Sequence, residues 1–151
     1  MTKPAPSAQK VAEAAAAAMW AEDRASQALG MKIVAVGPGT ATLEMPVRRD
    51  MCNGVGTCHG GMIFALADSA FAFACNSHNK VTVANNCNVA FIAAAREGDR
   101  LTAAAVERHR GGRSGVYDVT VTDQAGRLIA TFRGHSTQIK GELVPDFSTE
   151  G

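Results

Sequence analysis

One stretch, Met62–Cys75, is apolar on every face of a helix apart from Asp68 and Ser69. A helix that is apolar all round is buried all round, so the stretch predicts a central helix that is covered on most of its sides. A flat sheet covers only one side of a helix, which favours a long sheet that curls around this one. Asp68 is the only carboxylate in the stretch, so we expect the chemistry of the protein to lie here.

The loop that leads into this helix is rich in glycine, at positions Gly54, Gly56, Gly60 and Gly61. The last two leave the helix N-terminus sterically open. An open helix N-terminus offers unpaired N–H groups and a partial positive charge, which suit a carbonyl oxygen that becomes an oxyanion. Loop and helix together therefore predict a site with an acid and an oxyanion-binding amide.

The spacing of these two groups predicts an assembly. Gly60 precedes Asp68 by eight positions, which is about 12 Å along a helix. One chain cannot easily bring both groups to the same carbonyl. Two antiparallel helices related by a two-fold axis can, with Gly60 of one subunit facing Asp68 of the other. We therefore expect a homodimer with two shared sites and an inactive monomer.

Composition narrows the class of protein. At 151 residues the chain fits one domain, and 15 Lys and Arg against 14 Asp and Glu produce no field that would recruit nucleic acid or a membrane. The apolar run 14–20 is flanked by acidic residues, which fits neither a signal peptide nor a membrane span. We expect a cytoplasmic protein with reduced thiols at Cys52, Cys58, Cys75 and Cys87.

The remaining pattern predicts an α+β domain. Alanine-rich residues 9–29 predict an N-terminal helix, with Gly30 in the position of a C-terminal cap. Apolar-rich, β-branched and alternating runs predict a hairpin before the central helix and three or four strands in an antiparallel meander after it. The predicted strands cover 31–36, 40–47, 80–91, 101–109, 114–122 and 127–140. We expect a flexible tail at 1–8, one domain at 9–140 and a C-terminal tail at 141–151.

Three groups of residues carry a family resemblance: Asn53-Gly54-x-Gly56-x-x-His59-Gly60-Gly61, Leu66-Ala67-Asp68 and Gly115-Val116-Tyr117-Asp118-Val119. In this order they make the sequence resemble the hotdog-fold acyl-CoA thioesterases of the phenylacetate-degradation (PaaI-type) branch, over roughly residues 30–140. The resemblance implies a curved antiparallel sheet wrapped around a long central helix, and dimers commonly paired into tetramers. It also implies hydrolysis of acyl-CoA, with aryl groups such as phenylacetyl typical of the branch, and no metal or prosthetic group.

The resemblance also implies roles for four residues. Asp68 falls on the family's acid, Gly60 on the amide that polarises the thioester carbonyl, and Asn53 and His59 on supporting polar residues. The reaction asks for little else, because a thiol of pKa about 8.5 leaves without strong protonation. Asp68 acts as general base for water, which we prefer, or as nucleophile through a mixed anhydride. The hydroxyl that some relatives use to hold the water is absent from 83–86, where asparagines are available instead.

Four further residues are candidates for substrate binding. Gly61 belongs to the open helix start, and Phe64 either packs in the core or lines the acyl pocket, since one ring accepts another edge-on. Arg110 and Arg113 belong to a basic cluster that can hold coenzyme A phosphates. For any single one of these arginines, an ordinary solvated turn charge is the competing interpretation.

Several alternatives stay open at this point. His59 can be a simple turn residue, and Asn53 an Asx-turn residue that shapes the glycine loop. Cys52, Cys58 and His59 match no standard zinc spacing. Two other functions compete with hydrolysis: a hotdog-fold hydratase or dehydratase, which normally needs a well-placed histidine, and a non-catalytic acyl-CoA-binding module, which needs no acid.

Overall fold

The computed structural model describes residues 3–145 and residue 147. Three α-helices are present in this part of the chain: α1 (Ala8–Glu22), α2 (Arg24–Ala28) and α3 (Gly60–Cys75). A 3-10 turn, Arg49–Met51, lies before α3. The strands are β1 (Lys32–Gly37), β2 (Thr40–Pro46), β3 (Thr82–Phe91), β4 (Arg100–Gly111), β5 (Ser114–Thr122) and β6 (Leu128–Gln138).

These strands form one antiparallel sheet in the order β1-β2-β4-β5-β6-β3. α3 packs against all six of them, which requires the sheet to curve around the helix. The predicted α+β class, with a curved sheet wrapped around a long central helix, is therefore confirmed. The buried side chains of α3 make the centre of the core, and Leu66, Phe71 and Phe73 are at most 1% exposed.

The meander after α3 has three strands, so the four-strand version of that prediction is wrong. β4, β5 and β6 are consecutive neighbours, whereas β3 pairs with β6 at the edge of the sheet. β2 pairs directly with β4 because α3 carries the chain across the sheet before β3 begins. Alternation of apolar residues identifies a strand but not its neighbours, since pairing depends on contacts far apart in sequence.

The N-terminal helix predicted over 9–29 is divided in two by Asp23. The backbone N–H of Asp23 donates to the Trp20 carbonyl at 3.1 Å and closes α1. Its side-chain Oδ1 accepts from the Ser26 N–H at 3.0 Å and starts α2, as expected for a helix-capping aspartate. Gly30 follows α2 with φ +71°, so the capping position predicted for it is confirmed.

The chain beyond residue 140 is hydrogen bonded to the segment before β3. The Asn79 side chain bonds both backbone groups of Val144, at 2.8 and 2.9 Å, and Lys80 pairs with Glu142 at 2.8 Å. The predicted tail boundaries, after residue 8 and at residue 141, stay predictions. Residues 1, 2, 146 and 148–151, which belong to the two predicted tails, lie outside the described residues.

Close packing of α3 on the sheet depends on Gly134 in β6. A Cβ atom at this position would lie 2.7 Å from the Phe71 ring, which itself packs edge-on against Tyr117 at 5.6 Å. We expect Gly134→Ala to lower the free energy of unfolding by about 1–3 kcal/mol, because the ring has to move within a packed core. Urea unfolding measures this, with Gly54→Ala as the matched control.

Gly54 is a suitable control because no atom lies within 4 Å of the place that its Cβ would occupy, and its φ is not positive. Equal midpoints for the two variants would contradict the packing argument.

Candidate active site

α3 begins at an unusual capping arrangement. His59 is the N-cap residue, and its Nδ1 accepts a hydrogen bond from the Gly61 N–H at 2.9 Å. Helical residues start at Gly60, two positions before the apolar stretch. Within residues 3–145 and 147, the Gly60 N–H donates to no hydrogen-bond partner. Because Gly61 is already engaged, Gly60 presents the free donor at the positive end of the helix.

The glycine loop in front of α3 is organised by Asn53. Its Oδ1 accepts from the Val55 and Thr57 N–H groups, both at 3.1 Å, and its Nδ2 donates to Thr57 Oγ1 at 2.9 Å. These bonds make Asn53 an Asx-type loop residue, and the Nδ1 bond makes His59 a helix cap. Both side chains are therefore bonded within their own loop. Direct catalytic roles for them stay predictions.

Gly60 lines a pocket of about 370 Å³. The pocket is lined by Thr57, Cys58, Gly60, Ile63, Phe91, Ile92, Ala93 and Ala94. Phe91 and Ile92 are more than half exposed, and the Phe91 ring lies 3.0 Å from where a Cβ on Gly60 would be. Sequence reasoning missed both residues, although a large apolar pair at the end of the predicted strand 80–91 was the available signal.

Asp68 lies in a second pocket, of about 260 Å³. The pocket is lined by Asp23, Ala25, Ser26, Leu29, Met31, Ala65, Asp68, Ser69 and Ala72. Burial raises the pKa of the Asp68 carboxyl above its ordinary value of 3.8. The carboxylate has no hydrogen-bond or ion-pair partner in the part of the chain that the structure describes, so it is available to a bound molecule.

α2 supplies one wall of this second pocket. Ser26, which is 2% exposed, bonds across the helix interface to Ser69 with 2.8 Å between the two Oγ atoms. The sequence did not predict that α2 lines this pocket, because the pattern over residues 9–29 predicts a helix but not the surface on which the helix packs. The contact places the N-terminal segment directly beside the acid of the central helix.

The two pockets have no lining residue in common. Gly60 therefore faces one pocket and Asp68 another within a single chain, which agrees with their separation of about 12 Å along α3. Neither of these two pockets contains both groups of the predicted site.

The other candidate residues lie outside both pockets. The Gly61 N–H is bonded to His59, and Phe64 packs edge-on against Phe132 with 5.5 Å between ring centres. Arg110 and Arg113 are exposed. Arg113 lies near the start of β3, since its carbonyl accepts from the Gln138 N–H and Gln138 pairs with Thr82, the first residue of β3. Gly60 lies near the other end of β3, and the two ends of this ten-residue strand are about 30 Å apart. Their role in binding substrate stays a prediction.

The described residues contain neither a candidate metal site nor a candidate membrane-crossing helix. No group of three or more His, Cys, Asp or Glu side chains that could hold a metal ion occurs in residues 3–145 and 147. Over the same residues, no helix is long and apolar enough to cross a membrane.

A curved sheet around an acid-bearing helix with a free amide at its start is the arrangement that the family resemblance implied for the site. The chain belongs to the thioesterase superfamily, whose family model matches residues 55–130. Over 126 residues it is 43% identical to acyl-coenzyme A thioesterase PaaI of Escherichia coli K12, and the match covers 83% of this chain and 90% of that protein. The family resemblance inferred from the sequence is confirmed.

Solved structures agree with this assignment. The E. coli PaaI protein from the phenylacetic acid degradation operon matches with a TM-score of 0.89 at 42% identity, covering 90% of this chain and 99% of that one. A mutant of the phenylacetic acid degradation protein PaaI from Thermus thermophilus matches with a TM-score of 0.75 at 38% identity, covering 78% of this chain and 100% of that one. The fold is therefore the hotdog fold.

Proposed function

We propose that the protein hydrolyses acyl-CoA thioesters to a free acid and coenzyme A, and that it acts on phenylacetyl-CoA or related aryl esters. The observation that carries the proposal is a pair of groups on α3 without hydrogen-bond partners among the described residues, the Gly60 amide and the Asp68 carboxylate, in a member of the thioesterase superfamily. The aryl preference is supported by the relatives, which are named for acyl-CoA hydrolysis and phenylacetic acid degradation.

In this mechanism the Gly60 N–H donates to the thioester carbonyl oxygen. The N-terminus of a sixteen-residue helix adds a partial positive charge, so the amide stabilises the oxyanion of the tetrahedral intermediate. The surrounding side chains at Ile63, Phe91 and Ile92 are apolar and lower the local dielectric. The His59 cap contributes by holding the Gly61 amide, which leaves Gly60 as the donor.

Asp68 acts on water. Its ionised carboxylate removes a proton as the water oxygen attacks the carbonyl carbon, and collapse of the intermediate breaks the C–S bond and releases the thiolate of coenzyme A. The raised pKa of Asp68 makes it a stronger base than an exposed aspartate. In the second form of the mechanism, the carboxylate attacks directly, releases the thiolate and leaves a mixed anhydride for water to hydrolyse.

A homodimer completes the proposed site. β3 is an edge strand whose second side is unpaired in the described chain. Apolar side chains are exposed on it at Val83 and Phe91 and directly after it at Ile92. An edge of this kind favours continuation of the sheet by a second copy. Antiparallel pairing through β3 brings the start of one strand, with Arg113 nearby, to the end of the partner strand, where Gly60 lies. Pairing of two dimers into a tetramer, which the resemblance implies, completes the proposal.

The histidines argue against a hydratase. His59 Nδ1 is bonded to Gly61, and His78 Nε2 lies 2.9 Å from Glu107 Oε1. No histidine lines the pocket that contains Asp68. A hydratase needs a histidine beside the acyl chain to move its proton, and His59, which accompanies Gly60 into the shared site, is engaged in capping α3, so hydrolysis by the carboxylate fits the site better.

Hydrolysis in this form uses no metal and no prosthetic group, because the leaving thiol needs little protonation and the amide stabilises the oxyanion. We also place the protein in the cytoplasm, where its four cysteines, all free, meet a reducing environment.

A panel of acyl-CoA esters tests the function. We expect coenzyme A release from phenylacetyl-CoA with kcat/KM about tenfold or more above that for octanoyl-CoA, an eight-carbon chain, because a ring fills a compact pocket better than a flexible chain. Loss of thioester ultraviolet absorbance measures the rate. Release from no ester, with binding retained in calorimetry, would identify a binding module instead, and equal rates would overturn the aryl preference.

A further inference from the structure

The glycine loop is closed at its base by two cysteines. Cys52 and Cys58 are antiparallel partners in an isolated β-bridge, and residues 53–57 form the loop between them. Two backbone hydrogen bonds flank the pair: the Asn53 N–H donates to the Thr57 carbonyl at 2.8 Å, and the His59 N–H donates to the Met51 carbonyl at 2.7 Å. This pattern defines Cys52 and Cys58 as a non-hydrogen-bonded pair of the ladder.

Such pairs bring two side chains together. Their Cα atoms lie about 4.5 Å apart and their side chains project from the same face of the ladder. A disulfide accepts Cα separations of about 4.4–6.8 Å, so this pair lies at the lower limit of the range. Both thiols are free in the structure.

We propose that Cys52 and Cys58 are a reversible oxidation site, at which an intrachain disulfide forms and lowers turnover at the adjoining active site. In the reaction two S–H groups give one S–S bond, two protons and two electrons. The co-reactant is a two-electron thiol oxidant, such as a peroxide, which is reduced to water, or another disulfide, which is reduced to two thiols. The thiol chemistry stands by itself, whereas the effect on turnover rests on the proposed function.

The two thiols differ in access. Cys52 is partly exposed, whereas Cys58 is 5% exposed and belongs to the core. Burial, with the nearby Cys52 adding to it, raises the pKa of the Cys58 thiol to about 11. Cys52 therefore meets the oxidant first, and Cys58 then attacks the oxidised Cys52 sulfur and displaces its leaving group.

The bridge is placed to affect the active site. Most disulfides have Cα separations of about 5.5–6 Å, so forming one here moves the ladder strands apart by about 1 Å. The next residue, His59, caps α3 and is bonded through its N–H to the opposite strand of that ladder. A shift of this size moves the Gly60 amide relative to the substrate carbonyl, and about 1 Å of misplacement can cost about 10²-fold in rate. Strain of this kind also makes the bond easy to reduce.

Diamide, a thiol oxidant whose N=N group is reduced to a hydrazine, tests the proposal on the full-length protein. After treatment we expect two fewer titratable thiols per chain, a mass lower by two hydrogens, and a peptide map that joins Cys52 to Cys58. Hydrolysis of phenylacetyl-CoA, followed by thioester absorbance, should fall about tenfold or more and recover after reduction with dithiothreitol.

Matched variants separate this site from other thiols. Cys52→Ser should keep its activity in diamide, whereas Cys87→Ser, which alters a thiol on the β3 edge, should respond as the wild type does. Four thiols remaining after oxidation, or a bridge that leaves the rate unchanged, would overturn the proposal. Thiol count and mass do not depend on turnover, so an inactive protein would contradict the proposed function while the disulfide itself is still measured.

Discussion

We expect the Asp68→Asn protein to hydrolyse phenylacetyl-CoA with a kcat lowered by about 10²–10⁴-fold, the range of general-base contributions. Asparagine keeps the size of the side chain but can neither accept the proton of water nor attack the carbonyl. The carboxylate it replaces has no competing partner among the described residues, so no structural interaction is lost with it. Steady-state kinetics measure the effect, and a decrease of less than tenfold would move the chemistry away from Asp68.

Stability gives the control for this variant. Burial raises the pKa of Asp68 above 3.8 in the folded chain, so the folded state is more stable when this side chain is neutral. That extra stability is fully present below the unfolded pKa and is lost as the pH rises through the folded pKa. At pH 7 the ionised side chain therefore destabilises the fold. We expect Asp68→Asn to unfold at a higher temperature than the wild type at pH 7, with the difference shrinking as the pH falls through the raised pKa of Asp68 and nearly gone below about 4. A lower unfolding temperature would mean that the lost activity reflects damage to the fold.

Gly60→Pro is expected to lower kcat by about 10²–10³-fold, the usual cost of removing one oxyanion donor. Proline is favoured at the first position of a helix, where its missing N–H disturbs no helical bond. The preceding residue, His59, has φ −59° and ψ 132°, a conformation that tolerates a following proline. The substitution therefore removes the donor with little effect on the backbone.

Gly60→Ala is the matched control, because alanine adds the same Cβ beside Phe91 but keeps the N–H. Phe91 is exposed enough for its ring to move, so we expect this variant to retain most of its kcat. Equal losses in the two variants would show that the Cβ, rather than the missing donor, causes the effect.

Mixed assemblies of the two inactive variants test whether the sites are shared. In a heterodimer of Asp68→Asn and Gly60→Pro chains, one site receives both substitutions and the other receives neither. Random pairing of equal amounts then restores about a quarter of wild-type activity. Activity that stays at the level of the separate variants would show that each chain builds its site alone.

Much of the fold was predictable from local sequence. The all-apolar stretch identified the central helix, and Gly30 marked the end of the N-terminal helical region. Apolar-rich, β-branched and alternating runs identified the strands. The edge position of β3 was not predictable, because it depends on pairing with β6, whose paired residues lie 39 (Phe91 to Ala130) to 56 (Thr82 to Gln138) positions further along the chain. The division at Asp23 was missed because alanine-rich sequence on both sides favours helix, and only the capping bond to Ser26 separates α1 from α2.

The candidate site was predictable in its central elements. An acid on a buried helix and a glycine at the helix start are visible as residue types, and the superfamily assignment agrees with them. The walls were not predictable, since Phe91 and Leu29 reach the pockets only through the fold. For Asn53 and His59 the sequence left two roles open, because either side chain can stabilise a turn or contact a substrate. The structure shows the bonds to their own loop.

The pocket beside Asp68 has walls of two kinds. Ala65, Ser69 and Ala72 belong to α3, within the residues that the superfamily model matches, whereas the α2 wall from Asp23 to Met31 precedes them. Small side chains on the shared helix leave space, and the leading segment determines how that space is filled. Under the proposed function, we therefore expect changes in this short segment to alter acyl preference while Asp68 stays in place. Grafting that segment between relatives offers a direct way to redesign selectivity.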